Sequence, residues 1–471
     1  MDIALLKSLC CPFCSESFTV TQACADSGKD VEYAVLECSC AAYPVVAGIP
    51  VIRRGTLGVQ GQTARTISQL IMSGKQREAL LAMLMPPTPI GDLAPRWLTQ
   101  IPSVAGRGRL MRLLGHNTIA RWTRSMTEFF SAGPEGKTAE DYLTVGLAAK
   151  EKQKDYNYLM HRFGQPRQLV ALSLMTVLKA PPGPVLDFGC GIGLLTRHLP
   201  RRVGWHPVLG ADRDFLRLYI AKTFLAQDVA YVCCDGNRAL PFRSAFFAAV
   251  YSSDTLFMMP EKVTCSRELQ RVVHPEGMII ITGIRNGLVE AHKYPVGMTL
   301  PYPAYEDLFH PLSRRLLGNT EVLDQYLHKR GPALGQSSAS HVLDRDPWFS
   351  LVATGREDWL VDQGPFDDWP HAEGVLELNP LYQPVGVPCN ERGEVLYRQA
   401  FPSSWYEQED GDCRKYEPER VWIAAEILRD LALGKRTPAM EELIARCVIV
   451  GLPERFHRQD PVSPRHTPRA A

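Results

Sequence analysis

One stretch constrains this chain most: Val185-Leu186-Asp187-Phe188-Gly189-Cys190-Gly191-Ile192-Gly193-Leu194-Leu195. Apolar residues lead in from Pro184, as in a buried strand. Glycines then stand at alternate positions, and a helical pattern runs on through Leu199. A strand that turns sharply into a helix leaves backbone N–H groups without partners at the turn. Glycine lets a ligand come close to that backbone, because no Cβ stands in the way. The stretch therefore predicts a nucleotide-sized pocket at the end of a buried strand.

The next hundred residues repeat this pattern of apolar run and polar tip. Val208-Leu209-Gly210-Ala211-Asp212 and Val229-Ala230-Tyr231-Val232-Cys233-Cys234-Asp235-Gly236 are apolar runs ending in an acid. Phe246 to Asp254 reads as a fourth strand. A helix bearing Leu269, Val272 and Val273 comes after it, and Met278 to Thr282 reads as a fifth strand. Strands alternating with helices give an α/β fold with a doubly wound, mostly parallel sheet covered on both faces. Ligands of such a sheet sit at the carboxyl ends of its strands, where an acid can accept from ribose hydroxyls. Before the glycine turn, Pro166 suits the first turn of a helix from Arg167 to Leu178. That helix places Tyr158 and Arg162 near the same pocket.

The ordered set resembles the class I S-adenosylmethionine-dependent methyltransferases, in particular the group that includes the ubiquinone-biosynthesis C-methyltransferases. It comprises Val185-Leu186-Asp187-x-Gly189-x-Gly191-x-Gly193, Gly210-x-Asp212, Asp235-Gly236 with Leu240-Pro241-Phe242, Glu268-Leu269-x-Arg271-Val272 and Pro275-x-Gly277. The resemblance covers about Pro166 to Arg285. It implies a seven-stranded sheet and S-adenosylmethionine as cofactor. It further implies that Asp187, Gly189, Gly191 and Gly193 border the methionine part, that Asp212 takes the ribose, that Asp235, with Gly236, reaches the adenine amino group, and that Ser252 lines the pocket near the sulfonium. Two positions depart from the pattern: Ala248 replaces an acid, and Phe257-Met258 stand where a histidine is common. A dinucleotide site is the competing reading, but it uses G-x-G-x-x-G rather than the G-x-G-x-G found here.

Near the start, Cys11-Pro12-Phe13-Cys14 and Cys38-Ser39-Cys40 are two tight thiol pairs, the arrangement with which a zinc ribbon gathers four thiolates. So short a stretch needs a metal in place of a core. With Leu5-Leu6 and Tyr43-Pro44-Val45 through Gly48-Ile49-Pro50, it resembles the small zinc-ribbon family that includes the activator subunits of tRNA and translation-factor methyltransferases. The second pair is C-x-C where that family has C-x-x-C, which leaves Cys10 and Cys24 as spare thiols.

Five regions are expected: a zinc-ribbon-like domain (1–55), a helical linker and cap (56–164), the cofactor-binding core (165–290), a substrate lid with the last strands of the sheet (291–410), and C-terminal helices with a polar tail (411–471). Thr63 to Met85 reads as helix. Pro95 to Thr127 holds no acid but carries Arg96, Arg107, Arg109, Arg112, Arg121 and Arg124 beside Trp97 and Trp122. Gly374 to Tyr382 and Glu394 to Pro402 are expected to pair and complete the sheet. Pro418 to Leu433, and Pro438 to Val450 after a Thr437 cap, read as helices.

Composition narrows the function classes. The net charge of +1 exerts no global pull toward nucleic acid or membrane. No run is long and apolar enough to span a bilayer, and no leader is recognised. Thirteen cysteines, an odd number scattered through core strands, fit a reducing compartment and a cytoplasmic protein. The reading is methyl transfer to a small-molecule acceptor. An RNA methyltransferase gripping its substrate with the ribbon and the arginine window is the alternative, and a non-catalytic binding protein is the third reading. If the acceptor needs a general base, the candidates are His310, His292, His161 and Asp254.

Overall fold

The computed structural model describes residues 3–24, 31–57, 62–85, 120–145, 156–204, 206–290, 298–386 and 389–457. The strands are β1 Thr19–Cys24, β2 Tyr33–Cys38, β3 Ala41–Val46, β4 Ile49–Ile52, β5 Val185–Phe188, β6 Val208–Asp212, β7 Ala230–Cys234, β8 Phe247–Ser253, β9 Val273–Arg285, β10 Ser313–Gly318 and β11 Trp348–Thr354. The C-terminal part adds β12 Val375–Leu378, β13 Tyr382–Pro384, β14 Glu394–Gln399, β15 Arg420–Ala424 and β16 Ile449–Leu452.

The first eleven strands form one sheet, ordered β1-β2-β3-β4-β7-β6-β5-β8-β9-β11-β10. Its seven-stranded portion, from β7 to β10, is parallel except at β11 and β10. Strand order reverses around β5: the chain first winds outward to β6 and β7, then returns to β8 and β9. A crevice opens at such a reversal, because the loops leaving the two central strands diverge. Side chains alternate across the sheet. Leu186, Ile279 and Ile281 face one core with the helix Lys262–Val272, and Val185, Ile280 and Val352 face another with the helix Pro166–Met175.

Three expectations are corrected. First, the ribbon strands are not a separate sheet. β4 pairs in parallel with β7, Val51 opposite Cys233 and Ile52 opposite Cys234, so seven strands become eleven. Apolar ribbon residues such as Leu36 and Val45 share a core with the main sheet. Arg53 also donates to the Arg213 carbonyl at 2.5 Å, tying the ribbon to the turn after β6.

Second, the main sheet is completed by β10 and β11. The predicted partners, Gly374–Tyr382 and Glu394–Pro402, lie in two smaller sheets, β12–β16 and β13–β14–β15. β11 is buried along its whole length. Its Trp-Phe-Ser-Leu-Val-Ala-Thr sequence suits the free edge of β9 better than the half-exposed β14 does.

Third, the C-terminal helices are shorter than predicted. Arg420 to Ala424 is a strand against β14, and helix covers only Ala425–Ala432. Val421, Trp422 and Ile423 favour a pleated surface once an unpaired edge is on offer. Beyond Thr437, whose side chain makes no cap bond, a short helix Glu441–Ala445 gives way to β16. Thr63 to Met85 is likewise two helices, Ala64–Met72 and Gln76–Leu84, broken where Ser73 Oγ donates to the Gln69 carbonyl.

Candidate active site

The glycine turn lies at the tip of β5, as the sequence predicts. Gly191 has φ +55°, and a Cβ there would meet nothing within 4 Å, so its backbone is open to a ligand. Gly189, at φ +74°, is glycine for a second reason: a Cβ would lie 2.2 Å from Thr255 Oγ1. Gly193 does not line the cleft. A Cβ there would approach that of Ala221 at 3.0 Å, so it serves packing behind the turn.

Three acids surround this turn. Asp187 is buried and accepts from Thr196 Oγ1 at 2.6 Å. Burial raises its pKa to about 7. Asp212 closes β6. Its Oδ2 accepts from Gly191 N–H at 3.0 Å and its Oδ1 from Asp214 N–H at 2.9 Å. Burial raises its pKa as well. A carboxylate has about four acceptor sites, so capacity remains for two hydroxyls. Asp235 follows β7, and its Oδ1 accepts from Asn237 N–H at 3.1 Å. All three acids line one cleft of about 650 Å³, with Gly189, Gly191 and Gly236. That volume falls in the range of small-molecule and cofactor sites.

Residues 186–281 match the methyltransferase domain family. This segment is similar to methyltransferase domains. It is 36% identical over 103 residues to the 2-methyl-6-phytyl-1,4-hydroquinone methyltransferase of Synechocystis sp., an alignment covering 21% of this chain and 32% of that protein. It is 32% identical over 133 residues to the uncharacterized methyltransferase YodH of Bacillus subtilis, covering 27% of this chain and 53% of that one. The chain thus spans between about a third and about half of these curated relatives. Among solved structures, it is similar to a chain from the complex of the Haloferax volcanii Trm112 methyltransferase activator with a methyltransferase. That match has 15% identity and a TM-score of 0.33, covering 44% of this chain and 95% of the other.

The far half of the cleft is built by residues distant in sequence. Arg162, four residues before the helix Pro166–Met175, and Arg167, in its first turn, meet Arg285 from the end of β9. Asp254, Glu409 and Asp410 oppose them: Arg162 pairs with Asp254, Arg167 clamps Asp410 with Nε and Nη2, and Arg285 pairs with Glu409. The Arg285 and Arg167 guanidiniums lie 3.9 and 4.7 Å from the centroid of Trp348. Glu409, Asp410 and Trp405 come from the short helix Ser404–Asp410, which closes this end of the cleft. From this group the sequence singles out Arg162, Tyr158 and Asp254, and Trp348 as part of an aromatic wall in the expected substrate lid. Nothing local marks Arg167, Arg285 or Glu409, because their ion-pair partners lie more than a hundred residues away.

Several site expectations change. Ser252 points into the sheet and donates to the Phe188 carbonyl at 2.7 Å, whereas Ser253 lines the cleft. Side chains alternate along β8, so one residue of offset moves the hydroxyl to the other face. Asp254 is not available as a base. Its Oδ2 accepts from Tyr158 Oη at 2.8 Å and pairs with Arg162, while Oδ1 is enclosed against Gly283. Asp254 takes φ +53°, a conformation that Asp tolerates better than most residues. His310 is exposed and away from the cleft lining. His161 is off that lining too, with Nδ1 2.9 Å from the Asn157 carbonyl oxygen. His292 lies outside the described residues, as do Arg96, Trp97, Arg107, Arg109 and Arg112.

A second centre sits in the ribbon. Cys11, Cys14, Cys38 and Cys40 place their sulfurs within 4.8 Å of one another, with Cys11–Cys40 at 3.5 Å and Cys38–Cys40 at 3.6 Å. A tetrahedron of about 2.3 Å Zn–S bonds has edges of about 3.8 Å, so the donor set fits zinc. The C-x-C spacing is no obstacle, and Cys10 stands outside the cluster.

Proposed function

We propose that the chain transfers a methyl group from S-adenosylmethionine to a small apolar acceptor, in the cytoplasm. One observation carries this reading: the carboxylates at the tips of β6 and β7 face a common cleft with a glycine turn whose backbone is open. In this reading Asp187 faces the ammonium of the methionine part, and Gly189 and Gly191 admit it closely. Asp212 holds the ribose hydroxyls, and Asp235 beside Gly236 meets the adenine amino group. The bound sulfonium supplies an activated methyl. The protein's part is to hold the acceptor close, aligned and away from water. Leu159, Phe257, Met258 and Trp405 give the acceptor end an apolar wall, which favours a small molecule over RNA. The Synechocystis relative is named for a hydroquinone acceptor, a molecule of that kind. Zinc on Cys11, Cys14, Cys38 and Cys40 has a structural role, since all four ligands come from the protein. Among the described residues no disulfide forms and no helix is long and apolar enough to cross a membrane.

Calorimetry with S-adenosylhomocysteine tests the reading. Its ammonium favours ionised Asp187. With a folded pKa of about 7, that group is mostly protonated at pH 6, so binding there releases up to about one proton and above pH 8 releases almost none. Affinity therefore rises with pH and levels off above about 7. The sign for stability is opposite. The folded pKa lies above the unfolded value of about 3.9, so the unliganded protein loses stability as pH rises from about 4 to about 7. Asp187→Asn removes both trends. Absence of binding counts against the function, and binding without buffer-dependent heat at pH 6 counts against the role of Asp187.

A further inference from the structure

The arginine-lined lobe of the cleft offers an acceptor unused cationic donors, and its carboxylates are all ion-paired. Arg167 commits Nε and Nη2 to Asp410. Its Nη1 lies 3.9 Å from Asp254 Oδ1, beyond hydrogen-bond reach, and donates to no other group among the described residues. Arg162 bonds through Nη2 to Asp254 and, at 3.5 Å, to Ser253 Oγ. Its Nε and Nη1 bond to nothing among the described residues. Both side chains are more than nine-tenths buried, yet both line the cleft. These unpartnered N–H groups are not sealed in the interior but open onto the cleft, where an oxygen of a bound molecule can accept from them. Every carboxylate facing this lobe is already engaged: Asp254 by Tyr158 and Arg162, Asp410 by Arg167, Glu409 by Arg285.

We infer that the acceptor carries an oxyanion, seated on Arg167 Nη1 with Arg162 beside it, and that this oxyanion is the nucleophile. The inference rests on the methyltransferase reading and names its substrate class: an apolar molecule bearing a carboxylate, or a phenolic or enolic hydroxyl acidic enough to ionise between two guanidiniums. The acceptor enters without its proton, or loses it to solvent on binding. Its oxygen then bonds to the methyl carbon as the methyl–sulfur bond breaks, and that bond's electron pair returns to sulfur. The negative charge of the acceptor and the positive charge of the sulfonium cancel. No protein side chain takes up a proton, which fits a lobe whose carboxylates, Asp254, Glu409 and Asp410, are all paired with arginines.

The test compares 2-naphthoate with its neutral analogue 2-naphthamide by calorimetry on the full chain, with and without saturating S-adenosylhomocysteine. The carboxylate is expected to bind at least tenfold more tightly (~1.4 kcal/mol). In Arg167→Met that advantage falls below about threefold, while the affinity for S-adenosylhomocysteine changes by less than about twofold. Arg167→Met removes a buried ion pair and can fail to fold, so a second measurement uses the unmodified protein. Bound 4-nitrophenol, followed by phenolate absorbance, is expected to titrate about one unit below its free value. Equal affinities for the two naphthyl probes, or an unshifted nitrophenol, overturn the inference. So does an Arg167→Met protein that loses S-adenosylhomocysteine but keeps its preference for naphthoate, since the arginine then serves the cofactor. Failure of S-adenosylhomocysteine to bind the folded protein overturns the methyltransferase reading instead. The naphthyl pair measured without the nucleoside keeps the two outcomes apart.

Discussion

Asp212→Ala is expected to weaken S-adenosylhomocysteine binding by ten- to a hundredfold while leaving the protein folded. The magnitude reflects what the carboxylate does. It sits at the tip of β6 with capacity left after accepting from Gly191 and Asp214. Each hydrogen bond from a ribose hydroxyl to a charged acceptor is worth about 1.5–3 kcal/mol, and one such bond is already a factor of ten or more. The fold should tolerate the change, because Asp212 closes a strand and is not in its centre. Asp212→Asn separates two contributions: it keeps an acceptor for one hydroxyl and for Gly191 but loses the charge, so it should fall between the alanine variant and the parent. Calorimetry reads both. An unchanged affinity in Asp212→Ala would mean that the ribose lies elsewhere.

Cys11→Ser is expected to abolish metal binding, taking the zinc content from about one per chain to below a tenth, whereas Cys10→Ser leaves it intact. Cys11 is the buried member of the cluster, 3.5 Å from Cys40, while Cys10 lies outside it. Structural zinc in small ribbons contributes on the order of 10 kcal/mol of apparent folding free energy at neutral pH. Here the consequence should be milder for the chain as a whole, because the ribbon strands are paired to β7 and share a core with the main sheet. The loss should therefore appear as raised hydrogen exchange in residues 9–18 and 36–43, with the main sheet still protected. Metal analysis by mass spectrometry and exchange at the two cysteine tips check this. Retention of zinc in Cys11→Ser would show that another thiol completes the set.

Much of the cofactor half is legible in the sequence, for a physical reason. A buried strand, a glycine turn and an acid at the next strand's end are each local patterns. The period of the apolar residues fixes both the element and the rim on which its last residue stands. β6, Val208–Asp212, accordingly has the bounds its apolar run predicts. The errors arise where partners decide. Arg420–Ala424 has sequence fit for either a helix or a strand, and the free edge of β14 selects the strand. β10 and β11 are hidden in a long aromatic segment, since nothing local shows which run reaches β9. Ser252 and Ser253 differ only in the parity of a strand, which one residue of register decides. Asp254 reads as a base in sequence because an acid at a strand tip often faces ligand. Its engagement becomes visible only with Tyr158 and Arg162 folded against it.

The arginine-lined half of the cleft is less legible in the sequence, which marks Tyr158, Arg162 and Trp348 but not how they meet. Arg167, Arg285, Trp348 and Glu409 come from four separate parts of the chain and form one stacked, ion-paired wall. No spacing rule connects them, so their grouping is a property of the fold alone.

Hydrogen–deuterium exchange of the unmodified protein with and without S-adenosylhomocysteine probes the cofactor cleft most directly. Added protection is expected at Gly189 to Leu195, Asp212 to Asp214 and Asp235 to Asn237, the three strand-end turns that line the cleft. Binding that leaves these three turns unprotected, or protects a different surface, would contradict a nucleoside site at the carboxyl ends of β5, β6 and β7.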